Sequence, residues 1–199
     1  MRPKTLLAFI CSLQLALVAC HKRDSTSQTT VQAIDACELI KKEEIQTVQG
    51  SLITDSKSSA NTDGTFRVSQ CFYAAAEPNK SVSFVVTQRD PASASTRSPK
   101  DYWKETFGPY EGELEKEGDR KKKEGLKEQV GGEREEEAAP PKKIEGVGDD
   151  AFWIGSRVGG ALYVIKKDVF LRISVGGRDN EAGRIDKSKA LAQKAIERL

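Results

Sequence analysis

Val169-Phe170-Leu171-Arg172-Ile173-Ser174-Val175 decides the fold class. Val169, Leu171, Ile173 and Val175 fall on one side of an extended chain, and Phe170, Arg172 and Ser174 on the other. Period-two alternation of this kind marks a strand with two chemically different faces. Gly176-Gly177 ends it. Just upstream, Ala161 to Ile165 is a second strand, turned back by Lys166-Lys167-Asp168, and Gly159-Gly160 before it is a hairpin signal. Order resumes ahead of these strands at Gly146-Val147-Gly148-Asp149-Asp150-Ala151-Phe152-Trp153. Ser81 to Thr87 alternates as cleanly, with Val82, Phe84 and Val86 on one face and Ser83, Val85 and Thr87 on the other. Phe66 to Ala75 is apolar but irregular: Cys71 and Phe72 cannot both point inward on a regular strand, a conflict that a bulge would relieve. Pro78-Asn79 makes the turn between these two strands. Residues 54–64 and 90–98, rich in Ser, Asp, Asn and Gly or Pro, read as loops.

Helical segments punctuate the strands. Asp35 and Glu38 have capping-box spacing ahead of Leu39, Ile40, Ile45 and Val48, which give an apolar side to one helix or two short ones, and Gly50 is a C-terminal stop. Ser98 caps a second helix, with Pro99 in the first position and Asp101 three residues after the cap. In it Trp103, Phe107 and Tyr110 form a stripe at helical period, the pattern of a core-facing side. A last helix is expected from about Asp186, with Ile185 and Ala190 as a hydrophobic staple and Ala192, Ala195, Ile196 and Leu199 as its buried stripe. The fold class is therefore α+β: an antiparallel sheet with helices packed on one face. Two similar halves (66–75, 81–87, 98–110 and 161–165, 169–175, 186–199) flank an insertion at 111–145. In that insertion 21 of 35 residues are charged, which predicts a solvated polyampholyte segment, helical at its start. Residues 35–199 are expected to form a single domain.

The N-terminal segment has a different purpose. Arg2 and Lys4 precede fifteen mostly apolar residues, Thr5 to Ala19, and His21-Lys22-Arg23-Asp24 follows. A helix of that length spans about 22 Å, short of a ~30 Å hydrocarbon core, so a cleaved leader is expected. Leu17-Val18-Ala19-Cys20 resembles the lipobox of bacterial lipoproteins. The resemblance implies a signal peptide at 1–19, cleavage before a diacylglyceryl-modified Cys20, and membrane lipid as the first partner. Two or three acyl chains on Cys20 satisfy the two-signal requirement for stable anchoring. The resemblance also implies the cell envelope as location, facing the periplasm or the exterior. It favours the outer membrane where one exists, because His21 stands where retention in the inner membrane looks for Asp. Residues 20–34 are then the lipidated cysteine and a flexible Ser/Thr/Gln-rich spacer.

Removing the leader takes two of 32 basic residues and leaves 30 basic against 30 acidic. That balance offers no footprint for nucleic acid, and Lys121 to Lys123 is too short to supply one. The remaining cysteines, Cys37 and Cys71, are expected to pair in an exported chain. No Cys-x-x-Cys is present, and no histidine accompanies them to complete a metal site. The single histidine, His21, lies in the spacer, away from any folded setting. No cofactor or nucleophile fingerprint occurs, and none is expected to be used. Asp149-Asp150 is the best carboxylate pair. Adjacent residues of an extended segment point apart, so Asp149 is expected to act as a local acceptor in a turn.

Cys37-Glu38-Leu39-Ile40 with Glu43-Glu44-Ile45 and Gly50, Cys71 with Phe72-Tyr73, the Gly146 to Trp153 segment and the Ala-rich terminal helix resemble the uncharacterised DUF3558 group of bacterial lipoproteins. The charged insertion departs from that pattern. The resemblance implies a fold and an address but no activity. The expected function is thus a non-enzymatic binding or structural module of the envelope, with an envelope protein as candidate partner. Trp103, Tyr110 and Trp153 are its candidate contact aromatics. The alternative is a histidine-independent hydrolase using Asp, Glu or Tyr.

Overall fold

The computed structural model describes residues 32–121, 140–156 and 159–199, over 112–121 the backbone alone. The predicted signal peptide, Cys20, the spacer as far as residue 31 and residues 122–139 of the predicted insertion lie outside the described residues. Seven antiparallel strands form one sheet: β1 (Ile53–Thr62), β2 (Phe66–Ala75), β3 (Val82–Arg89), β4 (Lys142–Lys143), β5 (Asp150–Gly155), β6 (Gly160–Lys166) and β7 (Val169–Val175), in the order β1-β2-β3-β7-β6-β5-β4. The α+β class follows directly. Phe84 pairs with Ile173 and Leu171 with Val164, so the two alternating stretches sit side by side at the centre.

The helices do not share one face, which corrects the predicted layering. α1 (Ala36–Leu39), α2 (Lys42–Gln49) and α4 (Glu181–Ile196) close a core on Cys71, Phe84, Trp153, Leu162 and Leu171. α3 (Pro99–Lys121) covers the opposite face, where Trp103 and Phe107 pack on Phe152, Ile165 and Phe170. The reason lies in β5, β6 and β7. Trp153, Val164 and Leu171 alternate with Phe152, Ile165 and Phe170, so these strands are apolar on both sides and each side needs a cover. The meanders β1-β2-β3 and β5-β6-β7 meet at the β3–β7 pair. The helices that follow them lie on opposite faces of the sheet.

Residues 54–64, predicted as loop, are mostly strand. β1 pairs with β2 from Ile53↔Ala75 to Thr62↔Arg67. It is an edge strand, exposed along nearly its whole length. Its pairing is a backbone matter, so its side chains carry no alternation and have the composition of a loop. Lys57 near its middle and a register shift between Ile53 and Asp55 are the usual guards of a sheet edge. The conflict at Cys71-Phe72 is resolved without a bulge: Cys71 enters the core, while Phe72, 42% exposed, faces the other way. The sheet also resumes inside the predicted insertion, since Lys142–Lys143 is β4 and Ile144 is buried.

Two short helices, not one, follow Asp35. Its carboxylate accepts from the Cys37 N–H at 2.8 Å, and the Glu44 carboxylate, rather than that of Glu38, reaches back to the Lys41 N–H at 2.9 Å. Tyr73 Oη donates to the Ile40 carbonyl at 2.7 Å where the chain breaks between them. Gly50 ends α2 in the left-handed region (φ +60°), as its place in the sequence predicts. α4 starts at Glu181, five residues before the expected Asp186, because Asn180 caps it by accepting from the Gly183 N–H at 2.9 Å. Ile185 is therefore a helix-interior core residue and not part of a staple.

Arg198, beyond α4, clamps the N-terminal helices. Its guanidinium donates to both Glu44 oxygens at 2.7 and 2.9 Å and to the Leu39 carbonyl at 2.7 Å. The Arg198 hydrogen bonds hold the Glu44 carboxyl down to about 2. Arg198→Ala is expected to destabilise the domain at neutral pH, because the charge-assisted bonds to Glu44 and the bond to the Leu39 carbonyl are lost together. A lowered carboxyl contributes stability above its unfolded-state value, and that stability is lost as pH falls through the folded one. The gap between wild type and variant should narrow from pH 4.5 toward 2. Urea unfolding at several pH values checks this; a gap that widens in acid would contradict it.

Candidate functional site

Of the three candidate aromatics, Trp103 and Trp153 are core residues and Tyr110 packs at the edge of one core. Trp103 is 4% exposed and Trp153 1%, on opposite faces of the sheet, and Tyr110 is half-buried against the α3 cluster. Burial takes Trp103 and Trp153 out of any exposed contact surface, while Tyr110 stays partly exposed. Trp103, Phe107 and Tyr110 share a helical stripe because that stripe is the buried side of α3. Trp153 faces the main core, and a Cβ at Gly155 or Gly160 would collide with its indole. Among the described residues the exposed large apolar side chains are instead Leu52, Phe72 and Tyr102. Tyr102 bridges Phe66 and Phe170 and carries the Arg97 guanidinium 5.3 Å from its ring centroid.

The two aspartates diverge. Asp149 accepts from the Lys167 N–H at 2.6 Å and from Lys166 Nζ at 2.7 Å, which ties the segment before β5 to the β6–β7 turn. Lys167 takes a left-handed conformation there (φ +55°). Lys166 and the backbone bond hold the Asp149 carboxyl below the ordinary range. Asp149 is thus an acceptor across the sheet, for donors 17 and 18 residues away, and not the local turn acceptor its sequence suggests.

Asp150, at the start of β5, turns under α3. Its carboxylate accepts from Trp103 Nε1 at 3.2 Å and from the Ala151 N–H at 2.7 Å, and it forms an ion pair with Lys143 of β4. Lys143 Nζ also lies 3.6 Å from Glu111 Oε1 and 4.7 Å above the Phe152 ring. The Asp150 hydrogen bond, then burial, pushes the Glu111 carboxyl up. Burial works to raise Asp150, but its bonds to Lys143, Glu111 and Trp103 outweigh this and hold it below the usual value. The arrangement brings two acidic side chains to one lysine, with an indole N–H on Asp150.

Asp150 is visible in the sequence as half of a pair, though with the wrong partner. Glu111 and Lys143 stand inside the predicted charged insertion, where no local signal separates them from their neighbours. Among the described residues no group of three or more His, Cys, Asp or Glu is placed to hold a metal. Tyr73, whose hydroxyl burial pushes well up, is committed to the Ile40 carbonyl. Cys37 and Cys71 meet at disulfide distance, their Cα atoms 5.0 Å apart, and fasten α1 to β2. No helix among the described residues is long and apolar enough to cross a membrane. Comparisons with protein-family models, with curated proteins and with solved structures found no match to the chain.

Proposed function

We propose that this chain is a bacterial envelope lipoprotein, anchored through an acylated Cys20, whose α+β domain serves as a non-catalytic binding or structural module. Leu17-Val18-Ala19-Cys20, closing a short apolar run that starts with Arg2 and Lys4, carries the reading. The Cys37–Cys71 pair supports it, because an oxidising compartment outside the cytoplasm favours such a bond. The likeness to the DUF3558 lipoproteins agrees with the address and adds no chemistry. Asp150 meets three donors within the protein, an arrangement that ties elements together.

Labelled palmitate fed to cells should enter the wild type and not Cys20→Ser, and only the wild type should sediment with membranes. Equal labelling of the two would overturn the anchor. Crosslinking of the tethered protein in its envelope then identifies the protein partner. The paired carboxyls of Glu111 and Asp150 are what favours a histidine-independent hydrolase as the second reading. Turnover in a broad hydrolase screen, surviving repurification and lost in both Glu111→Gln and Asp150→Asn, would put that reading first.

A further inference from the structure

We infer that β1 is a dimerisation edge: two copies of the chain pair antiparallel through β1 about a two-fold axis at Ser56, which sets each Asp55 opposite the second copy's Lys57. Three observations at this edge, on the side of the sheet away from β4, carry this, and none depends on the lipid anchor.

The first is an open backbone. Where β1 turns into β2, the Asp63 N–H donates to the Phe66 carbonyl at 3.2 Å. Residues of an antiparallel strand alternate between giving both backbone groups to one neighbour and turning both away from it. The register then commits the odd residues from Asp55 to Asn61 to β2, and Ser56, Ser58, Ala60 and Thr62 turn N–H and C=O outward. β1 closes the sheet on this side, so no strand among the described residues meets them. The Ser56 N–H donates instead to the Asp55 carboxylate, at 2.8 Å.

The second is the way this edge is held. Of the ten side chains in β1 only that of Ile53 is buried. Ordering so exposed a strand costs conformational entropy with little core to offset it, and edge strands are usually kept short. The opposite edge, β4, has two residues. β1 is nonetheless fastened along its length by side-chain hydroxyls: Thr54 donates to the Ala74 carbonyl at 3.1 Å, Ser58 to the Asp35 carboxylate at 3.1 Å and Thr62 to that of Asp90 at 2.5 Å. A long strand fixed to its own domain, with its outer backbone open, is preorganised for main-chain pairing.

The third is charge complementarity, which selects the occupant. Asp55 and Lys57 are the charged residues of β1; both are exposed, and two positions apart they share one face of the sheet. An axis at Ser56 makes that residue a hydrogen-bonded pair with its own copy. It places each Asp55 directly opposite a Lys57 in the two flanking pairs, where side chains approach most closely. Asp55 then releases the Ser56 N–H to the second copy's carbonyl and takes a lysine in its place. An axis at Lys57 would oppose lysine to lysine, one at Ser59 would oppose Asp55 to Asp63, and one at Ser58 would leave both charges facing uncharged residues. A foreign strand with no acid at that position leaves Lys57 unpaired. The lysine that guards this edge against other strands therefore admits a second β1.

Sedimentation of the complete protein as isolated from cells, in density-matched detergent, should resolve a reversible monomer–dimer equilibrium. Asp55→Lys and Lys57→Asp should each weaken it about tenfold, because two opposed pairs turn from attraction to repulsion. The double exchange, Asp55→Lys with Lys57→Asp, should restore it, with far-ultraviolet dichroism showing that each variant is folded. Nitroxide labels report the geometry. On Ser56→Cys they should meet at the axis, and on Thr62→Cys they should stand about 40 Å apart, twice six residues of ~3.4 Å each. If a charge reversal unfolds the domain, the two label separations decide the matter alone. A protein that stays monomeric at its highest soluble concentration would overturn the inference. So would a dimer indifferent to both single reversals, a double exchange as weak as the single ones, or Thr62 labels closer together than the Ser56 labels.

Discussion

Phe107→Ala should destabilise the domain by about 3–5 kcal/mol, the cost of emptying a buried aromatic site. Phe107 is fully buried between α3 and the sheet. Its ring stacks on Phe152 with centroids 4.9 Å apart and planes 3° from parallel, and it touches Trp103 at 4.5 Å and Tyr163 at 5.5 Å. Trp103, Phe107, Phe152, Ile165 and Phe170 make up the whole buried part of this second core, so losing one member leaves few neighbours to close the gap. Gly108 and Pro109 follow immediately and give α3 little stability of its own. The loss should therefore be local first: the near-ultraviolet signal of Trp103 should change at denaturant concentrations where the β2–β3–β7 centre is still folded. Chemical unfolding followed separately by Trp103 and by far-ultraviolet dichroism checks this. A loss below about 1 kcal/mol would mean that α3 does not depend on the aromatic cluster, since such a value is ordinary for surface positions.

Breaking the Cys37–Cys71 link should cost a comparable amount. The bridged residues are 34 apart in sequence. Closing a loop of that size in the unfolded chain accounts for about 4 kcal/mol on the chain-entropy model, with about 2–5 kcal/mol usual for small secreted domains. α1 has only four residues and holds itself poorly, so the bond to β2 is a main restraint on it, beside the Asp35 cap and the Ala36 N–H donated to Ser69 Oγ at 3.0 Å. Cys71 is fully buried, which makes Cys37→Ala with Cys71→Ala a cleaner comparison than a serine that would bring a hydroxyl into the core. Mass analysis after alkylation without reductant should find neither thiol modified in the oxidised protein. Two alkylated cysteines, or a double variant as stable as the wild type, would contradict the expectation.

Much of the domain can be read from local patterns. The β3 and β7 stretches alternate because each residue's face depends only on whether its position is odd or even. The caps at Asp35 and Ser98 and the stops at Gly50 and Gly176 depend on residues a few positions away. The pairing of Cys37 with Cys71 needs only that they are the two cysteines of the folded part. What could not be read involves partners distant in the chain. β1 looks like a loop because an edge strand can meet its backbone requirement through β2 with no apolar side chain of its own. Glu111, Lys143 and Asp150 look like members of charged runs, and nothing before folding marks them as neighbours.

The sequence by itself determined an antiparallel α+β domain, the parity of its central strands, the stripe that α3 buries and the single pair of cysteines available to the folded part. Only the tertiary structure decided that α3 packs on the face opposite α1, α2 and α4, which turns Trp103 and Trp153 into members of two separate cores. Parity along a strand is set by the geometry of successive residues. Which helix covers which face is settled by filling both apolar sides of β5, β6 and β7 at once, and that condition exists only when all three strands and all four helices are in place.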